Sequence, residues 1–224
     1  MKKLNINDVL LTFDVGLDCA MPQVWQQQVE AIAQGLVDQG IVIIDGAVST
    51  ALISGLVQEY DNYWRENMAP AGIGRGAGFQ QNVDIRRDKI IWLEPQTPQV
   101  TLYIEQMNAI KTQLNRLLFL GLFEYEAHFA LYQPGDFYRT HRDAFRGQPA
   151  RCLTTVLYLN EDWDATKGGA LGIYNDDEIF LFDVMPQVGR MVIFLSEDFP
   201  HEVKPATCER KSIAGWFRVN QGIR

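Results

Sequence analysis

The chain holds only three histidines, and one of them, His141, stands two residues before Asp143 in YRTHRDAF. On an extended segment the side chains at i and i+2 share a face, so this imidazole and carboxylate can reach one metal ion. His201, in DFPHEV just beyond the apolar run RMVIFL, is the candidate third ligand. Two imidazoles and one carboxylate suit non-haem iron(II), with coordination positions left for a co-substrate and oxygen. An HxD pair alone is common by chance, so its meaning depends on its surroundings.

Arg210 follows His201 by nine residues and opens the run RKSIAGWF. A guanidinium fork there would grip a carboxylate through two parallel hydrogen bonds, whereas read alone it is equally a surface arginine. Tyr158 in VLYLN and Trp216 in AGWF read alone as core aromatics. His128, in EYEAHFALY, has no partner at ligand spacing that also fits the triad, and its expected role is structural. Glycines at 72, 74, 76 and 78 match no GxGxxG pattern and follow no strand signal, which excludes a dinucleotide fingerprint.

These residues must be held by something, and the hydropathy pattern suggests what. Trp25, Val29, Ile32, Ala33, Leu36 and Val37 recur at helical spacing before Gly40; IVIID (41 to 45) reads as a buried strand; Ser49 opens a second helical pattern through Trp64. Residues 69 to 88 are rich in Gly and polar groups, without periodicity, and read as a mobile functional loop. KIIWLE (89 to 94) reads as a strand and 98 to 118 as a helix. After residue 122, six short apolar or alternating runs follow one another between turn signals: FEYEAHFALY, CLTTVLYL, GALGIY, EIFLFDV, RMVIFL and SIAGWFRV. This spacing predicts an α+β fold, an antiparallel jelly roll with N-terminal flanking helices. We expect one domain over 1–224, with 1–121 as mostly helical support and 122–219 as the jelly-roll core.

The 224 residues carry a formal charge of −8, which argues against a nucleic-acid partner held through phosphates. Cys19, Cys152 and Cys208 are scattered and odd in number, indicating neither a disulfide framework nor a thiolate metal site. MKKLNINDVL lacks a signal peptide's apolar stretch, and no run is long enough to span a bilayer. A cytoplasmic protein is expected.

The stretches YQPGDFYRTHRD, RCLTTVLYLNEDWD, GGALGIY and PHEVKPATCERKSIAGWF together resemble the catalytic domain of the prolyl 4-hydroxylases that sense oxygen, the hypoxia-inducible-factor hydroxylases and their microbial relatives. DIRRDKIIWLE extends the resemblance ahead of the barrel. The fold it implies is a double-stranded β-helix, the jelly roll. The function it implies is 4-hydroxylation of a peptidyl proline, using Fe(II), 2-oxoglutarate and O2, releasing succinate and CO2, with ascorbate as reductant. His141, Asp143 and His201 would hold iron; Arg210 and Tyr158 would bind the distal carboxylate of 2-oxoglutarate; Tyr132 would lie near metal and co-substrate. Tyr138 and Trp216 would border the prolyl site. Arg86, Asp88 and Arg151 would form the substrate-covering loop and its partner, with an exposed Asp88 to Arg151 ion pair in the closed state. The sequence stops at VNQGIR soon after the last strand pattern, so counterparts of the C-terminal helix and zinc finger of animal members are not expected. That difference favours a microbial type of substrate, elongation factor Tu among them. A hydroxylase of a free small molecule and a non-enzymatic jelly-roll binding protein are the alternatives.

Overall fold

The computed structural model describes residues 4–14, 16–17, 22–72, 81–144 and 150–220. A short helix α1 (Ile6–Val9) leads into β1 (Leu10–Thr12) and the long helix α2 (Pro22–Gln39). The apolar stripe of α2 is buried as its spacing requires, except Val37, which is 65 % exposed on the opposite face. Gly40, at φ +74, donates its N–H to Leu36 O and closes the helix in the left-handed conformation that glycine adopts without penalty. The chain turns there into β2 (Ile41–Asp45), whose first four residues are all buried. Helix α3 (Thr50–Glu59) is capped by Ser49 and runs on through a π turn that buries Tyr60 and Trp64.

β3 (Ala69–Pro70) and β4 (Lys89–Trp92) pair with each other, so the segment expected as an unstructured loop at 69–88 is tied into a sheet at its start. Its other end is fixed by a bridge between Arg86 and Tyr138. Residues 73–80, including Arg75, lie outside the described residues, as does Cys19. Helix α4 (Pro98–Leu118) follows, with proline in its first turn, and its stripe of Val100, Tyr103, Met107, Ile110 and Leu114 is fully buried. Its N-terminus is capped from a distance. The buried Glu59 carboxylate accepts from Thr97 Oγ1 (2.6 Å) and from the N–H groups of Gln99 (2.9 Å) and Val100 (3.1 Å).

The remaining strands are β5 (Leu122–Tyr132), β6 (Tyr138–His141), β7 (Arg151–Tyr158), β8 (Leu171–Tyr174), β9 (Phe180–Val184), β10 (Met191–Leu195), β11 (His201–Val203) and β12 (Arg210–Val219). They form the two sheets of a jelly roll, one of eight strands in the order β1-β2-β10-β7-β12-β5-β4-β3 and one of four in the order β6-β11-β8-β9. Four of the eight large-sheet strands come from the first half of the chain, so that half supplies more than helical support. Alternation along each strand gives the large sheet two buried faces. On the outer face Phe129, Leu153, Leu157, Ile213 and Phe217 pack with the stripes of α2, α3 and α4. The inner face, with Ala130, Tyr132, Val156, Tyr158 and Phe194, meets Leu171, Ile173, Phe182 and Val184 of the small sheet. Among the described residues no helix is long and apolar enough to cross a membrane.

Replacing Glu59 leaves buried donors of α4 and Thr97 without an acceptor. Glu59→Ala is expected to lower the unfolding free energy by about 2–4 kcal/mol in urea titrations at unchanged m value, and Glu59→Gln by less.

Candidate metal centre and active site

β6 ends on His141 and β11 begins on His201, and antiparallel pairing sets the two residues opposite each other. Asp143 lies two residues past the end of β6. Its Oδ1 is 3.7 Å from His141 Nε2 and its Oδ2 is 3.5 Å from His201 Nε2. One ligand atom from each residue falls within 4.8 Å of the others, and no other such cluster occurs among the described residues. Each imidazole is oriented by a backbone carbonyl: His141 Nδ1 lies 2.8 Å from Arg139 O and His201 Nδ1 lies 3.0 Å from Phe199 O. Donation to those carbonyls fixes the Nδ1–H tautomer and turns the Nε2 lone pairs toward the carboxylate.

The electrostatics agree with this arrangement. Burial, then the neighbouring His201, push the His141 pKa down to about 3, so its imidazole is neutral. Burial favours protonation of Asp143, but His201, His141 and Arg151 outweigh it and hold the carboxyl well below its usual range. Thr154 Oγ1 donates to Asp143 Oδ2 (2.8 Å), so the Ser196 hydroxyl, 2.9 Å away, donates to Thr154. Thr154 and Ser196 are both buried. Two imidazoles and a carboxylate, aimed at one point with their far sides fixed, fit a divalent transition metal.

Arg210, at the start of β12, is 1 % exposed. Its Nε donates to Gly169 O (2.9 Å) and its Nη1 to Ser212 Oγ (3.2 Å), while its Nη2 is buried without a partner. The Tyr158 hydroxyl is likewise buried and unpartnered, and the guanidinium carbon lies 5.2 Å from its ring and 5.0 Å from that of Tyr132. Burial pushes the Tyr158 phenol up to about 12, so it remains a donor. Two buried donors from adjacent side chains match the distal carboxylate of a dicarboxylic co-substrate. Gly169 permits this placement, since a Cβ there would lie 2.9 Å from Trp163 and 3.3 Å from Arg210 Cδ.

Nearer the mouth, Arg86 and Asp88 form a buried bidentate pair, Nε to Oδ1 2.8 Å and Nη2 to Oδ2 2.6 Å. The Arg86 guanidinium stacks 4.1 Å above the Tyr138 ring, which stacks 3.6 Å from the His141 imidazole at 15°. The expected exposed pair between Asp88 and Arg151 is therefore not what this structure contains. Spacing of two along an extended segment puts Arg86 and Asp88 on one face, and Arg151 pairs instead with Glu126 (Nε to Oε1 3.0 Å). Arg151 also lies 3.5 Å over the Trp216 ring, whose N–H faces Asp143 without forming a hydrogen bond of ordinary geometry. Tyr138, with Arg86 and Asp88 behind it, and Trp216, with Arg151 over it, thus border the triad, while Arg210, Tyr158 and Tyr132 form a second cluster on the inner face of the large sheet.

Sequence reasoning missed Thr154, Ser196, Trp92 and the placement of His128. Strand alternation carried a signal for Thr154, four residues before Tyr158 and so on the same face. A cleft of about 830 Å³ opens instead between α3 and α4 beside Glu59, Tyr63 and Pro98. No cluster of three potential metal ligands lies there among the described residues, and Glu59 is occupied in capping α4.

Residues 127–218 match the model of the 2OG-Fe(II) oxygenase superfamily. The chain is 35 % identical over 144 residues to Egl nine homolog 1 of Homo sapiens, covering 60 % of this chain and 33 % of that protein. It thus spans about a third of that curated relative's length. The crystal structure of a Pseudomonas putida prolyl-4-hydroxylase matches with a TM-score of 0.77 and 37 % identity, over 86 % of this chain and 99 % of that one. A Trichoplax adhaerens prolyl hydroxylase, in complex with a hypoxia inducible factor peptide fragment, shares the fold at a TM-score of 0.76 and 24 % identity, over 90 % and 93 %.

Thr154→Val, which removes the donor to Asp143 at nearly constant volume, is expected to weaken divalent-metal affinity about 10- to 100-fold by calorimetric titration. His128, whose pKa burial lowers from 6.5 to about 4, supplies a pH signature. Because the unfolded chain binds this proton first, its stabilisation is complete above pH 6.5 and is lost as pH falls toward 4. The parent should therefore lose roughly 3 kcal/mol more over that window than His128→Met, measured by denaturant unfolding.

Proposed function

Since the chain belongs to the 2OG-Fe(II) oxygenase superfamily and is homologous to prolyl hydroxylases, we propose that it hydroxylates a peptidyl proline at C4 in a protein. The co-substrates are 2-oxoglutarate and O2, the products succinate and CO2. The observation that carries this reading is the meeting, inside one barrel, of the His141, Asp143, His201 cluster with the unpartnered Arg210 Nη2 and Tyr158 hydroxyl. A metal site alone would fit many activities. A metal site beside a built carboxylate socket fits an enzyme that consumes a dicarboxylic 2-oxo acid.

His141, Asp143 and His201 would hold the iron, and Arg210 with Tyr158 would bind the distal carboxylate of 2-oxoglutarate, with Tyr132 packed against Arg210. When bound, iron and 2-oxoglutarate together supply the activation of oxygen. The chain's own contribution is placement and exclusion of water. The buried Arg210 would fix one end of the co-substrate inside the barrel that also holds the triad. Thr154 and Ser196 keep the Asp143 carboxylate turned toward the ring nitrogens. The Arg86, Tyr138, His141 stack covers one side of the centre, and Trp216 with Arg151 covers another; the two aromatic rings, Tyr138 and Trp216, would suit the apolar faces of a pyrrolidine ring.

A protein substrate is supported by the exposed Trp92 rim beside Trp216 and by the charged side chains at the mouth. Elongation factor Tu is the candidate, by analogy with microbial members of the family. Ascorbate would keep the iron reduced. Cys152 and Cys208 are unpaired, which suits a reducing cytoplasm.

The test uses an extract of cells lacking the protein, incubated with purified enzyme, Fe(II), ascorbate and 2-oxoglutarate. Mass spectrometry is expected to find one oxygen gained on a proline, absent with His141→Ala. Succinate formation without a modified protein would instead select a small-molecule substrate. Arg210→Ala removes a charge-assisted bond worth about 1.5–3 kcal/mol, so the 2-oxoglutarate KM should rise at least tenfold while iron binding is retained.

A further inference from the structure

His128 is the one histidine outside the triad, and it stands on the same inner face of the large sheet. Register sets it between Trp92 of β4 and Ala214 of β12. It is 4 % exposed, its ring perpendicular to that of Trp92 at 5.2 Å and tilted 55° to that of Trp216 at 5.3 Å. Trp216 is the residue that faces Asp143, so His128 lies one ring away from the metal centre. Its only hydrogen bond among the described residues joins Nδ1 to Phe129 O at 3.2 Å.

With Nδ1–H donated to that carbonyl, Nε2 carries a lone pair and has no protein donor. Burial, opposed by Asp88 and reinforced by Arg86 and Arg151, keeps the ring neutral at physiological pH. His128 Nε2 is not one of the fully buried polar atoms that lack a partner, so it keeps access to the outside, from which a donor can reach it. Ala214 is half-buried although its strand neighbours on the same face, Ser212 and Trp216, are buried and strands flank it on both sides. The cleft floor is therefore open beside His128, and the 46 % exposed Trp92 marks its rim.

We propose that His128 is a specificity-determining residue of the substrate cleft, its Nε2 accepting a hydrogen bond from a main-chain N–H next to the target proline. The proposal rests on the peptidyl-proline reading above. Proline has no N–H of its own, so the donor belongs to a neighbouring residue, and the bond selects a polypeptide backbone rather than a particular side chain. Trp92 and Trp216 supply apolar walls on either side of that bond, where it is shielded from water and so discriminates more strongly.

The test is a cycle between enzyme and substrate, using a synthetic peptide that spans the proline located in the extract experiment. Each main-chain amide near that proline is N-methylated in turn, and kcat/KM is measured with the parent, His128→Leu and His128→Gln. With the parent, one methylation is expected to cost about tenfold. His128→Leu should lose the same factor on the unmodified peptide and nothing further on that methylated one. His128→Gln, whose amide oxygen also accepts, should recover part of the loss. Iron stoichiometry and 2-oxoglutarate affinity should stay unchanged in both variants. Equal losses for parent and variants at every methylated position would overturn the proposal, as would a change in iron or 2-oxoglutarate binding. If His128→Leu does not fold, the comparison of parent with His128→Gln decides the same question. Should the extract experiment locate no modified proline, the peptidyl-proline reading fails first and this inference falls with it, a result distinct from a null cycle on a peptide that is turned over.

Discussion

The antiparallel register that sets His201 opposite His141 is the constraint on which the rest of this protein depends. A carboxylate and two imidazoles within 4.8 Å are costly to bury, because each polar atom must find a partner or face a charge. The fold reduces that cost in a specific way. Carbonyls of Arg139 and Phe199 take the outward N–H groups, and Thr154 with Ser196 orients the carboxylate from behind. Every hydrogen bond on the far side of the cluster thus serves to direct lone pairs toward its centre.

The two faces of the large sheet divide stability from chemistry. Its outer face is apolar and packs on α2, α3 and α4, where burial of each large aliphatic or aromatic side chain contributes roughly 1.5–3 kcal/mol. That packing allows the inner face to carry groups that a core would reject. Arg210 is fully enclosed, yet one of its nitrogens is unpartnered, and the same is true of the Tyr158 hydroxyl. Such a pair destabilises an isolated fold by a few kcal/mol, a cost that the proposed binding of a carboxylate there would offset.

At the mouth, aromatic rings join charged groups to the metal cluster. Asp88 holds Arg86, Arg86 covers Tyr138, and Tyr138 stacks on His141, so a movement of the segment before β4 would be felt at a ligand ring. A second chain runs from Glu126 through Arg151 and Trp216 to the face of Asp143. The first of these chains draws on the approach to β4, one of the four strands that the first half of the sequence contributes to the large sheet.

Local rules made much of this legible. The HxD spacing, the position of His201, the nine-residue step to Arg210 and the strand runs after residue 122 follow from side-chain chemistry and a period of two, and the structure contains each of them. The resemblance in the motifs, rather than periodicity, indicated Tyr158, Tyr138, Trp216 and Arg86, since an aromatic on a strand looks like core when read alone. What remained hidden depends on which strands become neighbours. Nothing local indicated that β2 and β4 would join the large sheet, or that Glu59 would cap a helix about 40 residues away in the chain. His128 is the clearest case: its neighbours in sequence suggest a structural role, and only strand register sets it between Trp92 and Ala214. The sequence by itself determined the ligand types and the alternation that turns them inward; the tertiary structure alone decided which buried polar groups find partners, because strand pairing joins residues that have no separation rule in the chain.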